Sequence, residues 1–263
     1  MQTEEHTIAT STGPLRLLIA KPATGVAAGG PFVLVLALDA KTMLNDRPYC
    51  ITAEAIVAAG GVAVSFDLPH HGRRVGADGQ GIHGFAKVWA GGRDAFEQVI
   101  IDAGATIDFA IETGLATLGR IAVVGVSRGG YCAMRIAAAD ARVDAGVGVA
   151  LVTDWRELTE FAPYKEDDRL SELRLEHYAT SLAGRSLWLV IPAADRRVGT
   201  PACIRFVHAL FAEEERLGLE ASRIEFSVDT KSQGHRAGDK QHDAAAAWLY
   251  EQFALQPSQT HAK

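Results

Sequence analysis

Long hydrophobic runs, clustered cysteines and basic tracts are all missing from this chain, and each absence removes a class of protein. No apolar run reaches the ~18 residues that a membrane-crossing helix needs. Cys50, Cys132 and Cys203 are odd in number and far apart. They fit neither a disulfide framework nor a zinc site, and they read as buried thiols in a reducing compartment. A formal charge of −6, without a basic patch, argues against a nucleic-acid partner and against a membrane-surface one. The opening stretch "MQTEEHTIATSTGP" has neither the basic start nor the apolar centre of a secretory signal, so the expected location is the cytoplasm.

What remains is an ordinary globular chain of 263 residues, 48% hydrophobic and 22% charged. This length suits one α/β domain over residues 1–263, its last residues, 256–263, forming a flexible tail. "HTIATST" and "LRLLIAKP", joined across Gly13-Pro14, predict an N-terminal β-hairpin. Beyond it, the apolar runs "PFVLVLAL", "GVAVSFDL", "RIAVVGV", "GVGVALV", "SLWLVIPAAD" and "RIEFSVD" alternate with helical patterns near 50–59, 93–113, 128–140, 200–217 and 240–253. Continuous Val/Ile/Leu strands between amphipathic helices predict a mostly parallel, doubly wound sheet covered on both faces. Two long connections interrupt the alternation. Residues 154–185 form a charged segment, read either as a crossover or as a small cap insertion. Residues 72–92 form a glycine-rich loop with His83, Phe85 and Trp89.

Ser127 lies in "AVVGVSRGGYCAMRIAAAD", where an apolar strand gives way to a helix, with Gly125 and Gly129 two residues either side. A G-x-S-x-G sequence at a strand-to-helix junction makes a tight, strained turn that exposes the serine oxygen at the top of a sheet. A hydroxyl nucleophile needs a base, and the base needs an acid to orient it. In this fold the expected chain order is serine, acid, histidine. Asp195 closes the strand in "LWLVIPAADRRVG", and His235 occupies the loop "SQGHRAG" before the last helix. Asp154, after "VALVT", is a rival acid and His242 a rival base.

"GVSRGG", "AADRRVG" and "GHR", together with "SFDLPHHGRR", resemble the α/β-hydrolase superfamily. Within it the chain is most similar to the prolyl-oligopeptidase/dienelactone-hydrolase branch of small esterases, over about residues 15–253. The resemblance implies a serine hydrolase with Ser127 as nucleophile, His235 as base and Asp195 as acid, and a structural role for His71. It implies no cofactor and no metal. Its substrate would be a small ester-like molecule, and a homo-oligomer is compatible with it. A peptidase, a thioesterase or acyltransferase, a C–C bond hydrolase, or a non-catalytic binding protein are the alternatives on this fold.

The pattern departs from the family after the strand "PFVLVLAL", where Asp39-Ala40 stand in place of His-Gly. The expected oxyanion donors are the backbone N–H groups of Arg128 and Lys41, with Ala40 as the neighbouring alternative. Asp39 must then point away or be held by a cation. Trp89, Trp155 and Phe161 are the expected walls of the substrate pocket. Arg73, Arg74, Arg128, Arg196 and Arg197 crowd the same end and could attract an anion.

Overall fold

The computed structural model describes residues 1–232 and 234–255; the tail expected at 256–263 lies outside the described residues. The strands are β1 (Gln2–Thr10), β2 (Gly13–Lys21), β3 (Phe32–Leu36), β4 (Val62–Phe66), β5 (Ile121–Val126), β6 (Ala145–Val149), β7 (Ser186–Pro192) and β8 (Ile224–Asp229). Among the described residues they form one sheet in the order β1-β2-β4-β3-β5-β6-β7-β8. β1 and β2 make the expected antiparallel hairpin, and β2 runs antiparallel to β4. From β4 through β8 every pairing is parallel.

Period-two alternation explains why the central strands are apolar throughout. Leu34, Leu36, Val64, Phe66, Ile121 and Val123 face one core. Val33, Val35, Ala63, Ala122, Val124 and Val126 face the other. With both faces buried, neither set can be polar. The second core is closed by α1 (Ala40–Asn45), α2 (Ile51–Ala58) and α9 (Asp239–Gln252). The first is closed by α3 (Gly81–Ala90), α4 (Ala95–Glu112), α5 (Arg128–Ala139) and α8 (Thr200–Arg216).

The chain winds from β3 outward to β4, then returns past β3 to place β5 on its other side, with Leu36 beside Gly125. This reversal opens a crevice at the carboxyl ends of β3 and β5, the position where open parallel sheets receive ligands.

Both irregular connections hold more structure than their composition suggests. The glycine-rich 72–92 stretch contains a short turn of 3-10 helix (Gly72–Arg74) and α3, whose Ile82, Phe85, Ala86 and Trp89 are buried. Gly84 is required there, since a Cβ would meet the His70 ring at 2.5 Å. The 154–185 segment links β6 to β7 through short turns, including α6 (Asp168–Ser171) and α7 (Ala179–Leu182). Its Trp155, Phe161, Leu170, Leu175 and Leu182 are fully buried in the first core.

Candidate active site

Ser127 stands between β5 and α5 with φ 56° and ψ −119°. This is a conformation that a non-glycine residue holds only when its surroundings enforce it. Its N–H donates to Val149 O at 2.9 Å, and its carbonyl accepts from Gly130 N and Val152 N, each at 3.0 Å. The flanking glycines have a steric reason. A Cβ on Gly125 would come within 2.0 Å of Gly129 O, and one on Gly129 within 1.9 Å of Leu36 O. The first turn of α5 is thus pressed onto the ends of β5 and β3, and only glycine fits.

Two other elements deliver the partners. Asp195 lies in the turn after β7, which Thr200 ties down by accepting from Asp195 N at 3.1 Å and donating to Pro192 O at 2.7 Å. Asp195 Oδ1 accepts from the N–H groups of Arg197 and Val198 at 2.9 and 3.2 Å. Its Oδ2 lies 2.7 Å from His235 Nδ1, and His235 Nε2 lies 2.9 Å from Ser127 Oγ. With Nδ1–H donating to the carboxylate, Nε2 is the free acceptor facing the hydroxyl. Burial disfavours charge on Asp195, but the hydrogen bond and charge of His235 and the two backbone N–H groups outweigh it. Its carboxyl is held below the ordinary value.

The rivals are engaged elsewhere. Asp154 forms a two-pronged ion pair with Arg156, Nε to Oδ1 at 2.9 Å and Nη2 to Oδ2 at 2.5 Å. His242 is buried on α9 with neither ring nitrogen partnered among the described residues. His71 Nδ1 donates to Pro69 O at 2.8 Å. Burial, reinforced by the Arg128 charge, pushes its pKa down to about 4.

Two expectations need correction. Lys41 does not face Ser127; it lines a separate cavity with Asp39, Asn45, Asp67 and Arg73. Asp39 is the N-cap of α1, accepting from Thr42 N at 3.0 Å and from Thr42 Oγ1 at 2.9 Å. Burial disfavours charge on that carboxylate, but the Thr42 N–H and hydroxyl, with a smaller part from the Lys41 N–H, outweigh it and hold its pKa below the ordinary value. The neighbouring Ala40 N–H is likewise committed, donating to Asp67 Oδ1 at 2.9 Å. The same Asp67 accepts from Arg73 N at 2.8 Å through Oδ2. Capping a helix removes these amides from any role as free donors.

The second correction concerns the pocket. Trp89, Trp155 and Phe161 belong to a continuous ring cluster. Trp155 and Phe161 centroids lie 5.3 Å apart, Trp89 and Phe161 centroids 6.0 Å, and Phe96, Tyr131 and Phe85 also pack on Trp155. The cavity beside Ser127, about 460 Å³, is walled instead by Ala37, Leu38, Pro48, Tyr49, Ala150 and the 235–239 loop, with Arg128 at the serine. Sequence reasoning missed Tyr49 and Leu38. Their only signal was position in the connection that follows β3, the strand adjoining the serine strand, Leu38 just after the strand and Tyr49 beyond α1.

Among the described residues, no group of three or more His, Cys, Asp or Glu is placed to hold a metal ion. No described helix is long and apolar enough to cross a membrane.

A mostly parallel sheet with a serine on a strained strand-to-helix turn, a histidine and a buried carboxylate in one hydrogen-bonded line defines an α/β hydrolase of the serine type. The sequence model of the prolyl oligopeptidase family matches residues 75–256. The chain belongs to that family, and it is a serine hydrolase.

Solved structures similar to it include a cold-adapted esterase from an Arctic intertidal metagenomic library, at 18% identity and TM-score 0.69, covering 97% of this chain and 94% of that one. The acetyl xylan esterase from Paenibacillus sp. R4 is 17% identical with TM-score 0.70, covering 95% and 88%. The acylaminoacyl peptidase of Pyrococcus horikoshii is 13% identical with TM-score 0.71; all of this chain aligns with 42% of that one. No curated protein matches the sequence.

Proposed function

We propose that this protein hydrolyses a small ester through an acyl-enzyme on Ser127. The observation that carries the reading is the unbroken line from Ser127 Oγ to His235 Nε2 at 2.9 Å and from His235 Nδ1 to Asp195 at 2.7 Å. His235 Nε2 takes the hydroxyl proton as Ser127 Oγ bonds to the carbonyl carbon, and Asp195 stabilises the resulting imidazolium. Collapse of the tetrahedral intermediate breaks the bond to the leaving oxygen, which departs with the proton from His235. Water then attacks the acyl-enzyme, giving its proton to His235 and its hydroxyl to the acyl carbon, and the proton returns to Ser127 Oγ as the acid leaves.

The developing oxyanion is held by the N–H of Arg128, the first residue of α5, where the helix dipole adds to the hydrogen bond. The second donor is the N–H of Leu38, which lines the cavity one residue short of the Asp39 cap. None of these steps calls on a cofactor. An ester is the substrate class this reading adopts because two of the similar solved structures are esterases.

A fluorophosphonate probe tests the assignment, because it labels only an activated serine. The wild-type protein is expected to label and to hydrolyse short p-nitrophenyl esters, and Ser127→Ala to do neither. Absence of labelling in folded wild-type protein overturns the reading. Labelling with turnover of peptide anilides alone moves it to a peptidase.

A further inference from the structure

Arg128 carries more than a backbone donor. Its side chain is half-buried, and its Nε is fully buried with no hydrogen-bond partner. Among the described residues, no carboxylate pairs with its guanidinium. Two other arginines expected at this end are paired: Arg74 with Asp102 at 2.6 Å, and Arg197 with Glu160 at 2.5 Å. Glu160 is close enough to act on the Arg128 charge, but it is already held by Arg197 and by Thr159 Oγ1 at 3.1 Å. Asp239, the acid on the cavity wall, is paired with Arg47 at 3.2 Å. Arg236, on the same wall, adds a second cation with no ion pair among the described residues.

A guanidinium stays charged under all ordinary conditions, so burying one without an anion is unfavourable. Burial indeed works against the Arg128 charge. The remaining wall is apolar: Ala37, Leu38, Pro48, Val126, Ala150 and Ala237. An unpartnered planar fork in an apolar cleft is suited to a carboxylate, which it grips with two parallel hydrogen bonds.

We infer that the substrate is an ester bearing a free carboxylate, whose anionic group is held by the Arg128 guanidinium while its scissile carbonyl lies on Ser127. The inference rests on the esterase reading above and narrows it to monoesters of dicarboxylic acids and their like. Tyr49, on the same cavity wall, would be the further hydrogen-bond donor to that anion.

The test compares two p-nitrophenyl esters of matched chain length, the monoester of glutarate and the ester of valerate, near neutral pH. Wild-type protein should favour the glutarate ester in kcat/KM by about tenfold or more, and Arg128→Gln should erase that preference. The readout is the ratio on each protein, so a general loss of turnover does not move it. Arg128→Lys, which keeps charge but not the fork, should retain part of the preference.

A wild-type ratio near one, or a ratio unchanged in both variants, overturns the inference; turnover of the valerate ester then leaves the esterase reading standing. Calorimetry with glutarate provides an arm independent of turnover. Ser127→Ala protein should bind it, and adding Arg128→Gln should weaken binding by about fivefold or more. Equal binding by the two proteins overturns the inference. Arg128-dependent binding without hydrolysis of either ester would uphold the carboxylate site and sink the esterase reading alone.

Discussion

Trp155 and Tyr49 are both large aromatic residues in connections that leave the carboxyl end of a strand, β6 in one case and β3 in the other. Trp155 is wholly enclosed by Phe85, Phe96, Tyr131 and Phe161. Tyr49 packs against the opposite core and keeps one side on the Ser127 cavity. The ring cluster fixes the 154–185 crossover and α3 to the sheet. The other side is lined by small and aliphatic residues that leave open volume beside the serine. Aromatic content therefore marks the dry side of this active end, and small side chains mark the wet one.

The sharpest way to separate the two regions is to strike each in turn. On the wet side, Ser127→Ala and Asp195→Asn should each lower kcat by about 10⁴-fold or more, with unfolding midpoints close to wild type. Asp154→Asn should leave kcat nearly intact, because that carboxylate serves Arg156. Steady-state kinetics on one p-nitrophenyl ester, alongside denaturant melts, decide the ranking; Asp154→Asn proving the more damaging to kcat would reverse the two acids. On the dry side, Trp155→Ala should cost about 3–5 kcal/mol of stability by opening a cavity among packed rings. A urea titration reads this directly. A mutant as stable as wild type but altered in KM would return Trp155 to the substrate pocket.

Sequence was enough for the frame and for the hydrogen-bonded line of Ser127, His235 and Asp195, because both follow from local rules. Alternating apolar strands set the sheet, and Gly125, Gly129 and the chain order Ser127, Asp195, His235 set the site. The pocket walls did not follow. Trp89, Trp155 and Phe161 are conspicuous as residues, but nothing local says that three connections converge to bury them together. The α3 helix was hidden by Gly81, Gly84, Gly91 and Gly92, although Ile82, Phe85, Ala86 and Trp89 hold helical spacing. Asp39 misled for a similar reason. By the family resemblance it stands where a histidine is usual; locally, Asp39 followed three residues later by Thr42 is a helix start.

A smaller effect tests burial by pH. His71, on the strand-end side, and His242, on α9, are both pushed down to about 4, in each case chiefly by burial. In the unfolded chain each titrates near its ordinary 6.5. Above that value neither state binds the proton and the shift has no effect. Between there and about 4 the unfolded chain binds it and the folded one does not, so stability falls as pH falls. The loss should reach on the order of 3 kcal/mol per histidine across that window, and His242→Leu should flatten the slope by about one proton. Urea midpoints measured across the window check it; an unchanged slope in the variant would mean that His242 is charged in the fold.

The least effect is expected at the capped turn. Lys41→Ala should change kcat by less than about twofold, and Asp39→Ala should cost about 1 kcal/mol of stability as a lost helix cap, with kcat preserved. Kinetics and melts on the two variants complete the series. A catalytically dead but folded Asp39→Ala would place that carboxylate in the chemistry.

Asp67 has a consequence that reaches past its two hydrogen bonds. One carboxylate clamps the start of α1 through Ala40 and the turn after β4 through Arg73, so neither segment can open alone without leaving a buried charge half-satisfied. The two loops are thereby coupled into one rigid body, and Leu38 is tethered to it by accepting from Leu68 N at 3.1 Å. The Leu38 wall of the Ser127 cavity thus inherits its stiffness from a side chain that does not line it, and loosening Asp67 would blur the site as a lens is blurred by a slack mount.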